Sequence, residues 1–153
     1  PDIMVLPMGG SSLQEWVNHN YLRKLGIPEY HIYDSDCTNA HQQECDSVNQ
    51  RADGSSARMT SKREMENYIH PDAIRAVYGV NFEIDDNTDV PRVISDYLKS
   101  QNLPGCNQKN VKRRLNGEAT QYMTLELLKE CDQQNEILSW ICDIMQLDIS
   151  SYI

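Results

Sequence analysis

A chain of 153 residues, 39% apolar and 24% charged, is long enough to bury one real core and too apolar to stay disordered. Its formal net charge of −9 excludes a protein that coats nucleic acid by blanket electrostatics. That charge leaves room for an enzyme that meets phosphates through metal ions, because such a site is itself rich in carboxylates.

No apolar run approaches the roughly 18 residues of a membrane span. The start carries no basic-then-apolar leader. Five scattered cysteines form neither an even disulfide set nor a Cys-x-x-Cys pair, so a cytoplasmic home is expected, with no membrane partner. The first residue is Pro1 rather than Met, consistent with methionine removal or with a cut from a longer chain.

Asp2 to Met8 reads DIMVLPM, an apolar run rich in branched residues that stops at Gly9-Gly10, and it predicts a buried strand and a turn. Ser12 and Glu15 have capping-box spacing, and Leu13, Trp16, Val17, Tyr21 and Leu25 follow roughly the helical period until Gly26 and Pro28. Tyr30 to Tyr33 predicts a second strand running into Asp34. Strand, helix, strand is the unit of a parallel sheet, here with strands near 3–7 and 30–34 side by side.

The polar stretch from Thr38 to Ala57 predicts a long loop with at most one helical turn. A third short strand is expected at Arg58 to Thr60. Ser61 to Glu64 spells a capping box opening a helix that must stop before Pro71, which in turn opens a helix closing at Gly79. Beyond that the chain reads as helical. Val93, Ile94, Tyr97 and Leu98 share one face, Thr124 caps a short helix through Leu128, and Ile137, Trp140, Ile141, Ile144 and Met145 form an amphipathic stripe. These stripes are read as core.

The most informative stretch is His31 to Thr38, HIYDSDCT. Asp34 and Asp36, one residue apart after an apolar strand, point the same way if strand alternation continues through them. The carboxyl edge of a parallel sheet is where open α/β folds bind ligands. Two carboxylates held together there call for a cation, and hard oxygen ligands suit Mg²⁺ or Mn²⁺. Asp and Ser also favour a plain turn at this place.

The second stretch is Ser61 to His70, SKREMENYIH. Glu64 reads as a capping residue and Glu66 as an ion-pair partner for Lys62 one turn away. All three also fall in the first turns of the expected helix, where a lysine can steady a phosphate and a carboxylate can hold a second metal.

Taken in order, PMGGSS, HIYDSD and MTSKREMENYI resemble the carboxyl-terminal Toprim domain of the overcoming-lysogenisation-defect (OLD) nucleases and their ATPase-linked relatives. The likeness covers most of the chain, including the helical stretch from Asn110 to Leu147. It implies a small parallel α/β sheet flanked by helices over residues 1–80 and a helical extension over 81–153 packed on the same domain. It also implies cleavage of DNA with Mg²⁺ or Mn²⁺, an ABC-type ATPase module as partner, and homo-oligomer formation. Carried over by position, Asp34, Asp36 and Glu64 would hold metal, with Lys62 and Glu66 as catalytic groups and Glu64 or Glu66 serving the second metal. Toprim domains open with a strand leading to a glutamate and a glycine. Nothing before Asp34 fits, so that glutamate and the ATPase are expected upstream of Pro1, and the chain alone is expected to be inactive.

Cys37, His41 and Cys45 follow at intervals of four, the spacing of three zinc ligands on one helical face. Lys109, Lys112, Arg113 and Arg114 form the one basic cluster and are the candidates for touching a DNA backbone. Two other functions fit parts of the pattern. Asp34 to Thr38 matches the DxDxT of haloacid-dehalogenase-type phosphatases, with Asp34 as nucleophile, Asp36 as general acid, and Lys62 and Asp85-Asp86 following in order. A metal-free interaction domain with a decayed site fits the missing glutamate.

Overall fold

The computed structural model describes residues 3–8, 10–38 and 40–146. It is mixed α/β, with seven helices and two parallel strands among the described residues. The described residues form two compact units, one built on those up to Thr60 together with 140–146, the other on Ser61–Ser139. The division falls at 60/61 and 139/140 rather than after residue 80, because the segment from Ser61 to Gly79 buries its apolar side chains against the later helices.

In the first unit α1 (Gly10–His19) leads through a 3-10 turn at Arg23–Leu25 to β1 (Tyr30–Tyr33), α2 (Gln42–Asn49) and β2 (Ser56–Met59). Gly26 closes the 3-10 turn at φ 64°, a left-handed conformation that glycine adopts without a Cβ penalty. β1 and β2 pair in parallel, Tyr30 opposite Ser56 through Tyr33 opposite Met59, and α2 packs on both strands. Val17, Tyr33, Cys45, Val48 and Ala57 form the core, with Leu13 and Met59 against it.

Three expectations are corrected here. Residues 3–8 form no strand, and Met4 and Val5 are 82% and 83% exposed. The partner of β1 is β2 instead. Branched apolar residues favour a strand, but a strand exists only where another backbone answers its N–H and C=O groups. The stretch read as a loop contains α2, two turns long, stabilised by burial of Cys45 and Val48 one turn apart on an otherwise polar helix. Finally, α1 starts at Gly10, which puts Ser12 inside the helix rather than at its cap.

The second unit contains α3 (Pro71–Tyr78), α4 (Val90–Ser100), α5 (Gln108–Gly117) and α6 (Leu125–Cys131); α7 (Glu136–Met145) begins in it. The caps follow the sequence closely. Pro71 opens α3 and Gly79 closes it at φ 74°, while Asp89, Asn107 and Thr124 accept N–H bonds at the starts of α4, α5 and α6. Ile74, Ile94, Leu98, Val111 and Leu115 are the centre of the core. On α4 the buried face is Val90, Ile94 and Leu98, with Tyr97 half-buried and Val93 exposed. On α7 the buried residues are Trp140 and Cys142, whereas Ile141 is exposed.

The expected helix from Ser61 is replaced by a bend and a short 3-10 turn, Met65–Tyr68, capped by Glu64. Asn67 is the reason. Its Oδ1 accepts from the Glu64 N–H at 3.1 Å, while its Nδ2 donates to the carbonyls of Asp85 and Thr88 at 2.8 and 2.9 Å. Those long-range bonds hold the segment in a tight turn and carry Glu64 and Glu66 inside. Among the described residues, no helix is long and apolar enough to cross a membrane.

Candidate functional site

β1 ends at Tyr33, so Asp34 and Asp36 lie beyond it. Asp36 and Cys37 have φ of 47° and 56°, two successive left-handed residues in a turn closed by Thr38 N–H to Ser35 O at 3.0 Å. Strand alternation therefore does not set the relation of the two aspartates. Asp34 is half-buried and Asp36 exposed. The turn is anchored from β2: Ser35 N–H donates to Thr60 Oγ1 at 3.0 Å, and Thr60 N–H to Tyr33 O at 2.8 Å. The same turn breaks the proposed zinc trio. Cys37 sits in it, exposed. His41 precedes α2 with its ring stacked on Tyr33, and Cys45 is buried, its thiol pKa pushed up by that burial.

Alternation does operate just before it. Glu29, His31 and Tyr33 share one side, where Glu29 Oε2 takes His31 Nε2 at 2.7 Å, Trp16 Nε1 at 3.1 Å and Arg51 Nη1 at 3.2 Å. Nε2 of the ring faces that carboxylate, and Nδ1 meets the Tyr33 hydroxyl at 2.9 Å. Burial holds the Tyr33 phenol far above its usual pKa, so it stays protonated. This network was not read from the sequence. Its only signal there is the period-2 spacing of polar residues in a strand, and burial of Tyr33 assigns it to holding the unit together.

The second unit builds a charged site. Glu64 and Glu66 are buried, with side chains only 6% and 4% exposed, and Lys112 reaches them from α5. Lys112 Nζ lies 2.9 Å from Glu64 Oε2 and 3.6 Å from Glu66 Oε2. Asn116, one turn further on, donates to Glu66 Oε1 at 3.1 Å. Glu64 Oε1 is buried with no hydrogen-bond partner. Burial raises the Glu64 pKa most, Glu66 and Asp89 add to it, and the Lys112 ammonium opposes them.

Lys62 is not at a helix start, and its partner is not Glu66. Its ammonium lies 2.8 Å from Asp86, donates to Cys131 O at 2.5 Å and Asn67 O at 3.3 Å, and sits 5.2 Å from the Tyr68 ring centroid. Beside it, Glu136 accepts from the Ser61 N–H and hydroxyl and from the Tyr68 hydroxyl.

The basic cluster divides. Spacings of three and four put Lys109, Lys112, Arg113 and Asn116 along one side of α5. Lys109 and Arg113 are exposed on it. Arg114 faces elsewhere, bonded to Glu118 at 3.0 Å and lying over the Tyr78 ring. An open apolar cleft of ≈450 Å³, lined by Met65, Tyr68, Met123, Leu125 and Leu128, borders Asn116 but carries no charged side chain.

Among the described residues, no group of three or more His, Cys, Asp or Glu side chains is arranged to hold a metal ion. Glu64 and Glu66 are two adjacent buried carboxylates, both paired with Lys112, and one keeps an oxygen without a donor. The chain matches no protein-family model, no curated protein and no solved structure.

Proposed function

We propose that this chain is a metal-dependent DNA-cleaving domain of the Toprim type, resembling those of OLD nucleases, that works with an ABC-type ATPase module. The supporting observation is the conjunction in the second unit: a buried carboxylate pair with an unpartnered oxygen beside a helix side carrying Lys109, Lys112 and Arg113. A purely structural ion pair explains the Lys112 contact. It leaves unexplained the buried Glu64 oxygen without a donor and an exposed basic stripe in a chain of net charge −9.

In this reading Glu64 holds a divalent cation through Oε1, and Asn116 orients Glu66 toward it. Asp34 and Asp36 are assigned by their place in the sequence as ligands of a metal of their own, with Glu64 serving a second one, and Lys62 as the group that steadies the phosphate. Bound Mg²⁺ or Mn²⁺ would polarise a phosphoryl oxygen and lower the pKa of a water. Lys109 and Arg113 attract the phosphate backbone locally, which the chain as a whole repels.

Calorimetric titration with Mn²⁺ tests it. Binding should be lost in Glu64→Gln and in the Asp34→Ala, Asp36→Ala double variant, and the protein joined to its ATPase module should nick supercoiled plasmid with the same ion. No Mn²⁺ binding, or an isotherm unchanged in both variants, would overturn the assignment.

A further inference from the structure

We infer that the apolar cleft beside α5 receives an unpaired base of a single DNA strand whose phosphates lie along Lys109 and Arg113. The inference rests on the DNA-cleaving reading and specifies the form of DNA that the second unit engages.

The cleft selects its occupant by what its wall offers. Its ≈450 Å³ falls in the usual range of small-ligand pockets, and Met65, Met123, Leu125 and Leu128 line it without a charged side chain. The hydroxyls on the wall are already engaged. Tyr68 donates to Glu136, Thr120 donates to Asn116 O at 2.9 Å, and Thr124 Oγ1 accepts the Leu127 N–H at 3.3 Å. A charged group entering there would lose its water and gain no opposite charge. A flat, neutral ring loses far less, and the flexible thioethers of Met65 and Met123 adapt to its faces.

Asn116 joins the cleft to the charged side of the helix. It lines the cleft and is exposed, and its Nδ2 is held by Glu66 Oε1 at 3.1 Å. Its Oδ1 has no partner among the described residues and is placed to accept from a ring N–H or amino group at the rim. Arg113 lies one turn back along the same side of α5 and Lys109 one turn further, both exposed. Two cations in a row, leading to an uncharged apolar cleft, suit a ligand with repeated negative charges and a neutral ring beside them. A nucleic-acid strand has that make-up, and its base is available to a cleft only where it is unpaired.

The test uses the whole chain with a chelator present, so that no strand is cut. Fluorescence anisotropy compares a short single-stranded thymidine oligonucleotide with an abasic strand of the same length and charge. The thymidine strand should bind with a Kd tighter by on the order of tenfold, while the slope of log K against log salt stays the same for both. Met65→Ser with Leu125→Ser, two exposed positions at the cleft, should remove most of that preference, whereas Lys109→Ala should weaken both strands alike. A second readout needs no variant: a strand carrying iodouracil, irradiated on the unmodified protein, should crosslink to Met65, Tyr68 or Met123. Equal Kd values for the two strands, or crosslinks only outside the cleft, overturn the base site and leave the basic stripe standing. If neither strand binds at low salt, the DNA reading itself fails and takes this inference with it.

Discussion

Glu64 carries a carboxylate where water is nearly excluded, and its folded pKa lies above the ordinary carboxylate value, chiefly because of that burial. The sign of the linkage follows. Between the unfolded and the raised folded value, the folded chain binds more protons than the unfolded one, so stability falls as pH rises through that window and the penalty persists at neutral pH. Glu64→Gln imitates the protonated form. Its melting temperature at neutral pH should therefore exceed that of the unmodified protein, with the difference closing once the pH drops below the ordinary carboxylate range. A lower melting temperature for the variant at neutral pH would show that the Lys112 contact outweighs burial. Glu64 and Glu66 were identified from the spelling SKREMENY. Lys112 as their partner was not, because the two segments meet only through the fold of the second unit.

Elements were readable wherever the signal was local. Pro71 and Gly79 bound α3, and Thr124 caps α6, because an N-cap hydroxyl or a left-handed glycine acts on its immediate neighbours. β2 shows the opposite case. Asn49, at the end of α2, donates from Nδ2 to Ala57 O at 3.1 Å and accepts the Ala57 N–H on Oδ1 at 2.8 Å, imitating a third strand along one edge of β2. Ala57 is buried, so loss of that amide would leave its N–H unanswered, while Arg58 Nη1 still donates to its carbonyl at 3.1 Å. Asn49→Ala should lower unfolding stability by about 1–3 kcal/mol, the usual range for exposing a buried donor or acceptor without a partner, and urea titration measures it. A loss within about 0.5 kcal/mol, the range of a neutral surface change, would mean that the two-strand pair does not depend on this bridge. Nothing around Asn49 in the sequence QQECDSVN announces that role.

The net charge of −9 makes any attraction for nucleic acid a local property, confined in this reading to one side of α5. Each cation that pairs with a phosphate releases about one counterion, so Lys109→Ala with Arg113→Ala should reduce the slope of log K against log salt by roughly 2 for duplex DNA in the presence of Mn²⁺. Arg114→Ala, whose guanidinium is already held by Glu118 and the Tyr78 ring, should leave that slope unchanged. An equal effect from all three positions would point to general charge rather than to the stripe.

From its order of residues alone the chain already specified a mixed α/β make-up, the bounds of α3, the start of α6 and the apolar face of α4 in outline. All of these depend on neighbours within about one or two turns, where period, capping and breaker residues act directly. Strand partnership, the turn at Asp36, the collapse of the expected helix at Ser61 into a 3-10 turn, and the pairing of Glu64 and Glu66 with Lys112 were settled by contacts across tens of residues. An apolar run such as residues 3–8 states only a preference for burial. Whether a strand forms depends on which backbone stands beside it, and here β1 is answered by β2.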